Sequence, residues 1–279
     1  MTAHLSDATR LLIDFNVHAV ASALGLAIPD AAAALMYGVE SAALTDYQAA
    51  IDAELAHTVQ PLHAHAGVTA LRALLSPGQR VLCIGDSITA YRRGYAHLLR
   101  HLLAPHGVEV VNRGYSGYTS THGVELTYTQ FLSVQPDLVL IKYGVNDCKQ
   151  FDGALGQTLV SLGEYAHNLA RIIGAFQRHT RARVLVLTPT PVIEPLVNAH
   201  PDISAMRLTW SNAVLRQYAQ VALSTADRAQ VIGVDAFQLF DAQPDAALYC
   251  PDGLHPNADG HARLVAHLLD RLSSHYSQG

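Results

Sequence analysis

From residue 80 onward the chain alternates between short apolar runs and longer stretches with apolar residues three and four apart. "RVLCIG" (80–85), "VEVVN" (108–112), "DLVLIKYG" (137–144), "ARVLVLTPT" (182–190) and "AQVIGVDA" (229–236) read as strands buried on both faces. "YAHLLRHLLAP", "GVELTYTQFLSV", a segment near 157–179, a segment from about 203 to 225 and "NADGHARLVAHLLDRLSS" read as helices, the last with Asn257 as its N-cap. Alternation of this kind predicts a flavodoxin-like three-layer α/β/α fold with about five parallel strands. The first 75 residues lack it. "SDATRLLIDFNVHAVASALGLA" reads as one helix ending before Pro29. "TDYQAAIDAELAHTV" opens on Thr45 with Gln48 three later, a capping box, and a short helix is expected over 67–75. Pro77-Gly78 then interrupts the pattern. The predicted organisation is a helical N-terminal extension (1–75), acting in packing, dimerisation or as a cap, followed by an α/β domain (76–279).

Composition excludes several classes. Half of the 279 residues are hydrophobic, enough for a substantial core, and the net charge of −5 argues against nucleic acid or an anionic membrane as partner. No run approaches the ~18 apolar residues of a membrane span. The most apolar N-terminal stretch, Val17 to Ile28, holds His18 and Ser22 and follows Asp7, Arg10 and Asp14, which is not the pattern of a signal peptide. Cys83, Cys148 and Cys250 are far apart and odd in number, so no disulfide framework is expected and a cytoplasmic location is the default. His63 and His65, and His261 and His267 beyond His255, do not show metal-ligand spacing, so no metal is expected.

In an open parallel sheet, functional residues gather beyond the carboxyl ends of the strands. Here those positions carry Gly85-Asp86-Ser87, Asn112-Arg113-Gly114, Gly144-Val145-Asn146-Asp147 and, after the last strand and a long loop, Asp252-Gly253-Leu254-His255-Pro256-Asn257. These types suit acyl transfer. A serine hydroxyl needs a base to become a nucleophile, and histidine is that base near neutral pH. A carboxylate must hold the imidazole in the productive tautomer. Ser87, His255 and Asp252 are therefore the candidate triad. The Ser87 N–H, the Gly114 N–H and the Asn146 amide are the candidate oxyanion donors. Asp86 and Asp147 are expected to shape their loops, and Cys148 and Cys250 to pack. Tyr91, Tyr115, Tyr118 and Tyr143 flank these segments and are candidates for lining a substrate pocket.

Taken together, "GDSIT", "NRGYSG", "GVND" and "DGLHPN" resemble, in order and spacing, the four blocks of the SGNH (GDSL) hydrolase family, over roughly residues 80–272. "NRGYSGYTS" and "LTPTPVIE" are most similar to the branch that includes isoamyl acetate-hydrolysing esterases. The resemblance implies a serine esterase acting on a small-molecule ester. Ser87 would be its nucleophile, Gly114 and Asn146 its oxyanion donors, and Asp252 and His255 the rest of its triad, with no metal or organic cofactor. An acyltransferase using the same triad is the alternative. The family core begins near its first strand, so residues 1–75 are a departure that leaves room for a homodimer.

Overall fold

The computed structural model describes residues 5–24, 26, 28–152, 156–240 and 244–276. Five strands, β1 (Arg80–Gly85), β2 (Glu109–Gly114), β3 (Leu138–Lys142), β4 (Arg183–Leu187) and β5 (Ile232–Val234), form one parallel sheet in the order β2-β1-β3-β4-β5. The chain winds first to one side of β1 and then to the other, so the carboxyl ends of β1 and β3 flank the switch point where such sheets hold their ligands. Successive strand residues point to opposite faces. Leu82, Ile84, Val139, Ile141, Val184 and Val186 meet the helices Leu162–His179 and Asn212–Arg228. Val81, Cys83, Leu138, Leu140, Leu185 and Leu187 meet the helices Tyr95–Leu103 and Ala258–Tyr276. Both faces are covered, which is why the strands are continuous apolar runs. The flavodoxin-like reading of the fold holds.

The N-terminal helices join this second layer. Ile51 and Leu55 of Ser41–Thr58 and Val68 and Leu71 of Ala66–Ala73 share its core. Gly67 marks the closest approach, where a Cβ would lie 2.3 Å from the Leu269 carbonyl oxygen. The helices Asp7–Asp14 and Asp30–Tyr37 form a smaller cluster with Ser41–Thr58, around Ile13, Ala34, Tyr37 and Leu44.

Several elements differ from the sequence reading. The first helix stops at Asp14. Asn16 then adopts a left-handed conformation (φ 51°), tolerable for asparagine, and a 3₁₀ segment runs over Val17–Leu24. The capping box does not form. The helix starts at Ser41, and the Thr45 hydroxyl donates to the Ser41 carbonyl from inside it. The helix expected from 203 starts at Asn212. Arg207 (φ 57°) breaks the chain before it, and Leu208–Thr209 pairs antiparallel with Gln150–Phe151. The helix after β2 begins at Ser120 and passes into a π turn at Thr127–Phe131. Asn257 does cap the last helix, accepting from the Gly260 N–H at 3.0 Å.

Candidate active site

The site is assembled at the carboxyl ends of β1, β2 and β3 and closed by the loop before the last helix. At the end of β1, Asp86 caps the short helix Ser87–Ala90, its Oδ1 accepting from the Ile88 N–H at 3.0 Å. Ser87 is the first residue of that helix and is 7% exposed. Its Oγ lies 2.7 Å from His255 Nε2, across 168 positions of sequence. His255 Nδ1 lies 2.6 Å from Asp252 Oδ2. An ionised carboxylate only accepts, so Nδ1 carries the hydrogen and the Nε2 lone pair faces the serine hydroxyl. Asp252 Oδ1 accepts from the Leu254 and His255 N–H groups at 2.8 and 3.0 Å. Burial works against this carboxylate, but its hydrogen bonds and the neighbouring His255 outweigh that and hold its pKa below the ordinary value. The three candidate triad residues are thus brought into one hydrogen-bonded chain.

The oxyanion candidates fare unequally. Asn146 is 6% exposed and donates one amide hydrogen to the Tyr118 carbonyl at 3.0 Å; the Nδ2 group has a second hydrogen to offer. The Ser87 N–H has no partner among the described residues. The Gly114 N–H, by contrast, donates to Asn112 Oδ1 at 2.9 Å, and is occupied. The glycine is needed at 114 for a different reason: a Cβ there would lie 2.3 Å from the Ala90 nitrogen. Two N–H groups of this loop have no partner among the described residues, those of Ser116 and Gly117; Gly117 is exposed and left-handed (φ 82°) and precedes Tyr118, whose carbonyl Asn146 holds.

The tyrosines also separate. Tyr115 and Tyr143 are each 1% exposed within the core, Tyr115 beside Phe131 and Tyr143 against Gly123, so neither is placed to line an open pocket. Tyr118 is half-buried in the loop beside Asn146. Tyr91 is buried, its ring 4.8 Å from that of Phe15. Cys148 is buried with its Sγ donating to the Val145 carbonyl, and the half-buried Cys250 contacts the Tyr91 hydroxyl, so both pack against their neighbours.

Three features escaped the sequence reading. Lys142, the register partner of Gly85, is fully buried with Asp86 as its neighbouring charge, and burial lowers its pKa to about 8. It is one of only two lysines, and its place inside an apolar strand was the available signal. His261 is fully buried as well, accepts from the Tyr95 N–H, and is held neutral by burial, its pKa lowered to about 3. Phe15, from the N-terminal segment, packs its ring on His255 with centroids 4.2 Å apart. Nothing in the local pattern distinguishes it from an ordinary core position.

Asp147 is not the local turn-former expected. It reaches across to the first turn of the helix that begins at Ser120, accepting from the Ser120 N–H at 3.0 Å and from the Ser120 hydroxyl. Burial pushes its pKa up to about 7. A carboxyl that holds its proton more tightly when folded makes the native state bind more protons between about pH 4 and 7. Stability therefore falls as pH rises through that window, by a total on the order of 4 kcal/mol, and levels off above it. Asp147→Asn removes this slope. Melting temperatures measured from pH 4.5 to 7.5 should decline in the parent relative to the variant; parallel profiles would place the titration elsewhere.

Residues 83–263 match the GDSL-like lipase/acylhydrolase family model. The chain is 31% identical over 206 residues to the isoamyl acetate-hydrolyzing esterase 1 homolog of Homo sapiens, covering 70% of this chain and 81% of that protein. Among solved structures, an α/β hydrolase enzyme from the metagenome of Lake Arreo, Spain, superposes with a TM-score of 0.58 at 25% identity, covering 72% and 97% of the two chains. A catalytic mutant of an acetylxylan esterase from Geobacillus stearothermophilus superposes with a TM-score of 0.55 at 25% identity, covering 71% and 95%.

Proposed function

Since the chain belongs to the GDSL-like lipase/acylhydrolase family and is an esterase of that family, we propose that it hydrolyses short-acyl carboxylic esters through a Ser87–His255–Asp252 triad. The observation that carries this reading is the unbroken hydrogen-bonded chain from Ser87 Oγ through His255 to Asp252, at 2.7 and 2.6 Å. The acetyl esters in the names of its relatives support a short acyl group.

The chemistry follows from the geometry. His255 Nε2 takes the Ser87 proton as Oγ attacks the acyl carbon. Asp252 keeps the hydrogen on Nδ1 and stabilises the imidazolium that forms. The negative charge on the carbonyl oxygen is held by the Ser87 N–H, the Asn146 amide and, in place of Gly114, the Gly117 N–H. The imidazolium then protonates the leaving alcohol. Water, deprotonated by the same His255, releases the acid. Water is the acceptor in this reading, and product analysis with added alcohols separates hydrolysis from acyl transfer.

The test is turnover of p-nitrophenyl acetate by the parent enzyme and by Ser87→Ala. A second variant probes the oxyanion site. Asn146→Ala removes a donor that acts on the transition state, so kcat should fall by about 10²–10³ with KM little changed. A rise in KM alone would make Asn146 a ground-state binding residue.

A further inference from the structure

We propose that Phe15, supplied by the N-terminal segment, is a specificity-determining residue that walls the leaving-group side of the site and selects the alcohol half of the ester. This rests on the triad reading above, because it takes His255 as the proton donor to the leaving group.

Phe15 lies outside residues 83–263, the part shared with the family. Its ring is wedged between two others. One is the His255 imidazole, with centroids 4.2 Å apart and planes tilted by 47°. The other is Tyr91, at 4.8 Å and nearly parallel. For His255 Nε2 to protonate the departing alkoxide, that oxygen must come within about 3 Å of it. The rest of the alcohol extends from that oxygen, past the imidazole. An aromatic ring seated on the imidazole therefore borders the alcohol group before it borders the acyl group, which is bonded to the carbon that Ser87 attacks.

The wall is fixed in place from two sides. On the nucleophile side, the Arg92 N–H donates to the Asp14 carbonyl at 2.7 Å and Arg92 Nε to the Ile13 carbonyl at 3.0 Å. Arg93 pairs with the Asp14 carboxylate at 2.6 Å, both side chains 17% exposed. On the oxyanion side, the Ser116 hydroxyl donates to the Phe15 carbonyl at 2.7 Å. The left-handed Asn16 then turns the chain away, its Oδ1 accepting from Arg92 Nη2. Backbone anchored to both rims of the site holds the ring rigidly against the catalytic histidine. The N-terminal segment thereby gives the shared catalytic unit its own alcohol selectivity.

Two ester series test this. In one the acyl group is acetate and the alcohol grows from ethyl to octyl; in the other the alcohol is p-nitrophenol and the acyl group grows from acetate to octanoate. Phe15→Ala should raise the kcat/KM ratio of octyl to ethyl acetate by about tenfold or more, and Phe15→Trp should lower it, while the acyl-length profile stays within about threefold in both. Thermal unfolding verifies that each variant is folded, and the tryptophan variant keeps the test open if the alanine variant is not. An unchanged alcohol profile in active variants, or a shift in the acyl profile instead, overturns the assignment of Phe15 while leaving the triad standing. Turnover that persists in Ser87→Ala, or a folded parent that cleaves no ester, overturns the triad reading and this inference with it.

Discussion

Ser87→Ala lowers kcat on p-nitrophenyl acetate by roughly 10⁵- to 10⁶-fold, and His255→Ala by a similar factor. The losses are alike because the two residues act as a unit. Without the hydroxyl there is no acyl-enzyme, and without the base the hydroxyl stays protonated. The double variant should be no worse than either single one, since each already removes the covalent route. Stability separates the two. Ser87→Ala gives up one half-shielded hydrogen bond, worth about 1 kcal/mol. His255→Ala also removes the surface on which Phe15 packs and frees Asp252 Oδ2, so its melting temperature should drop further. Steady-state rates and thermal scans on the three variants read both effects. Substantial turnover by folded Ser87→Ala would remove the nucleophile from the scheme.

The strands could be read from the sequence because helices cover both faces of the sheet. Val81, Leu82, Cys83 and Ile84 are all fully buried, and a run with no solvent-facing position is apolar throughout. The triad types could be read for a related reason: the fold brings strand ends together, so Ser87 and His255 did not need to be close in sequence. The oxyanion loop resisted because the role of an N–H depends on which side chain accepts from it. "NRGYSG" holds two glycines, and only the geometry shows Asn112 Oδ1 occupying the first of them. Tyr115 and Tyr143 share with Tyr91 and Tyr118 their closeness to a motif, but in a strand or loop the next residue over can face the core. Phe15 resisted most strongly. Its partners Tyr91, Ser116 and His255 lie from 76 to 240 positions away, a relation that only packing between the N-terminal segment and the site creates.

Asp252→Asn should cost about 10⁴-fold in kcat while leaving the loop in place. The reason lies in how the two carboxylate oxygens are used. Oδ1 accepts from the Leu254 and His255 N–H groups, so an asparagine keeps its carbonyl oxygen there and turns its NH₂ toward His255 Nδ1. The imidazole must then present a lone pair at Nδ1 and carry its hydrogen on Nε2, where it faces the Ser87 hydroxyl and can no longer accept that proton. The loop N–H groups stay satisfied, so the melting temperature should change little. KM should change little as well, because the substrate does not depend on which imidazole nitrogen is protonated until the reaction starts. Asp252→Ala separates the two duties. It removes the acceptor for Leu254 and His255 along with the orienting charge, and should lose stability as well as rate. A kcat for Asp252→Asn within tenfold of the parent would mean that the carboxylate serves the loop rather than the proton transfer, and His255 would then need another residue to set its tautomer.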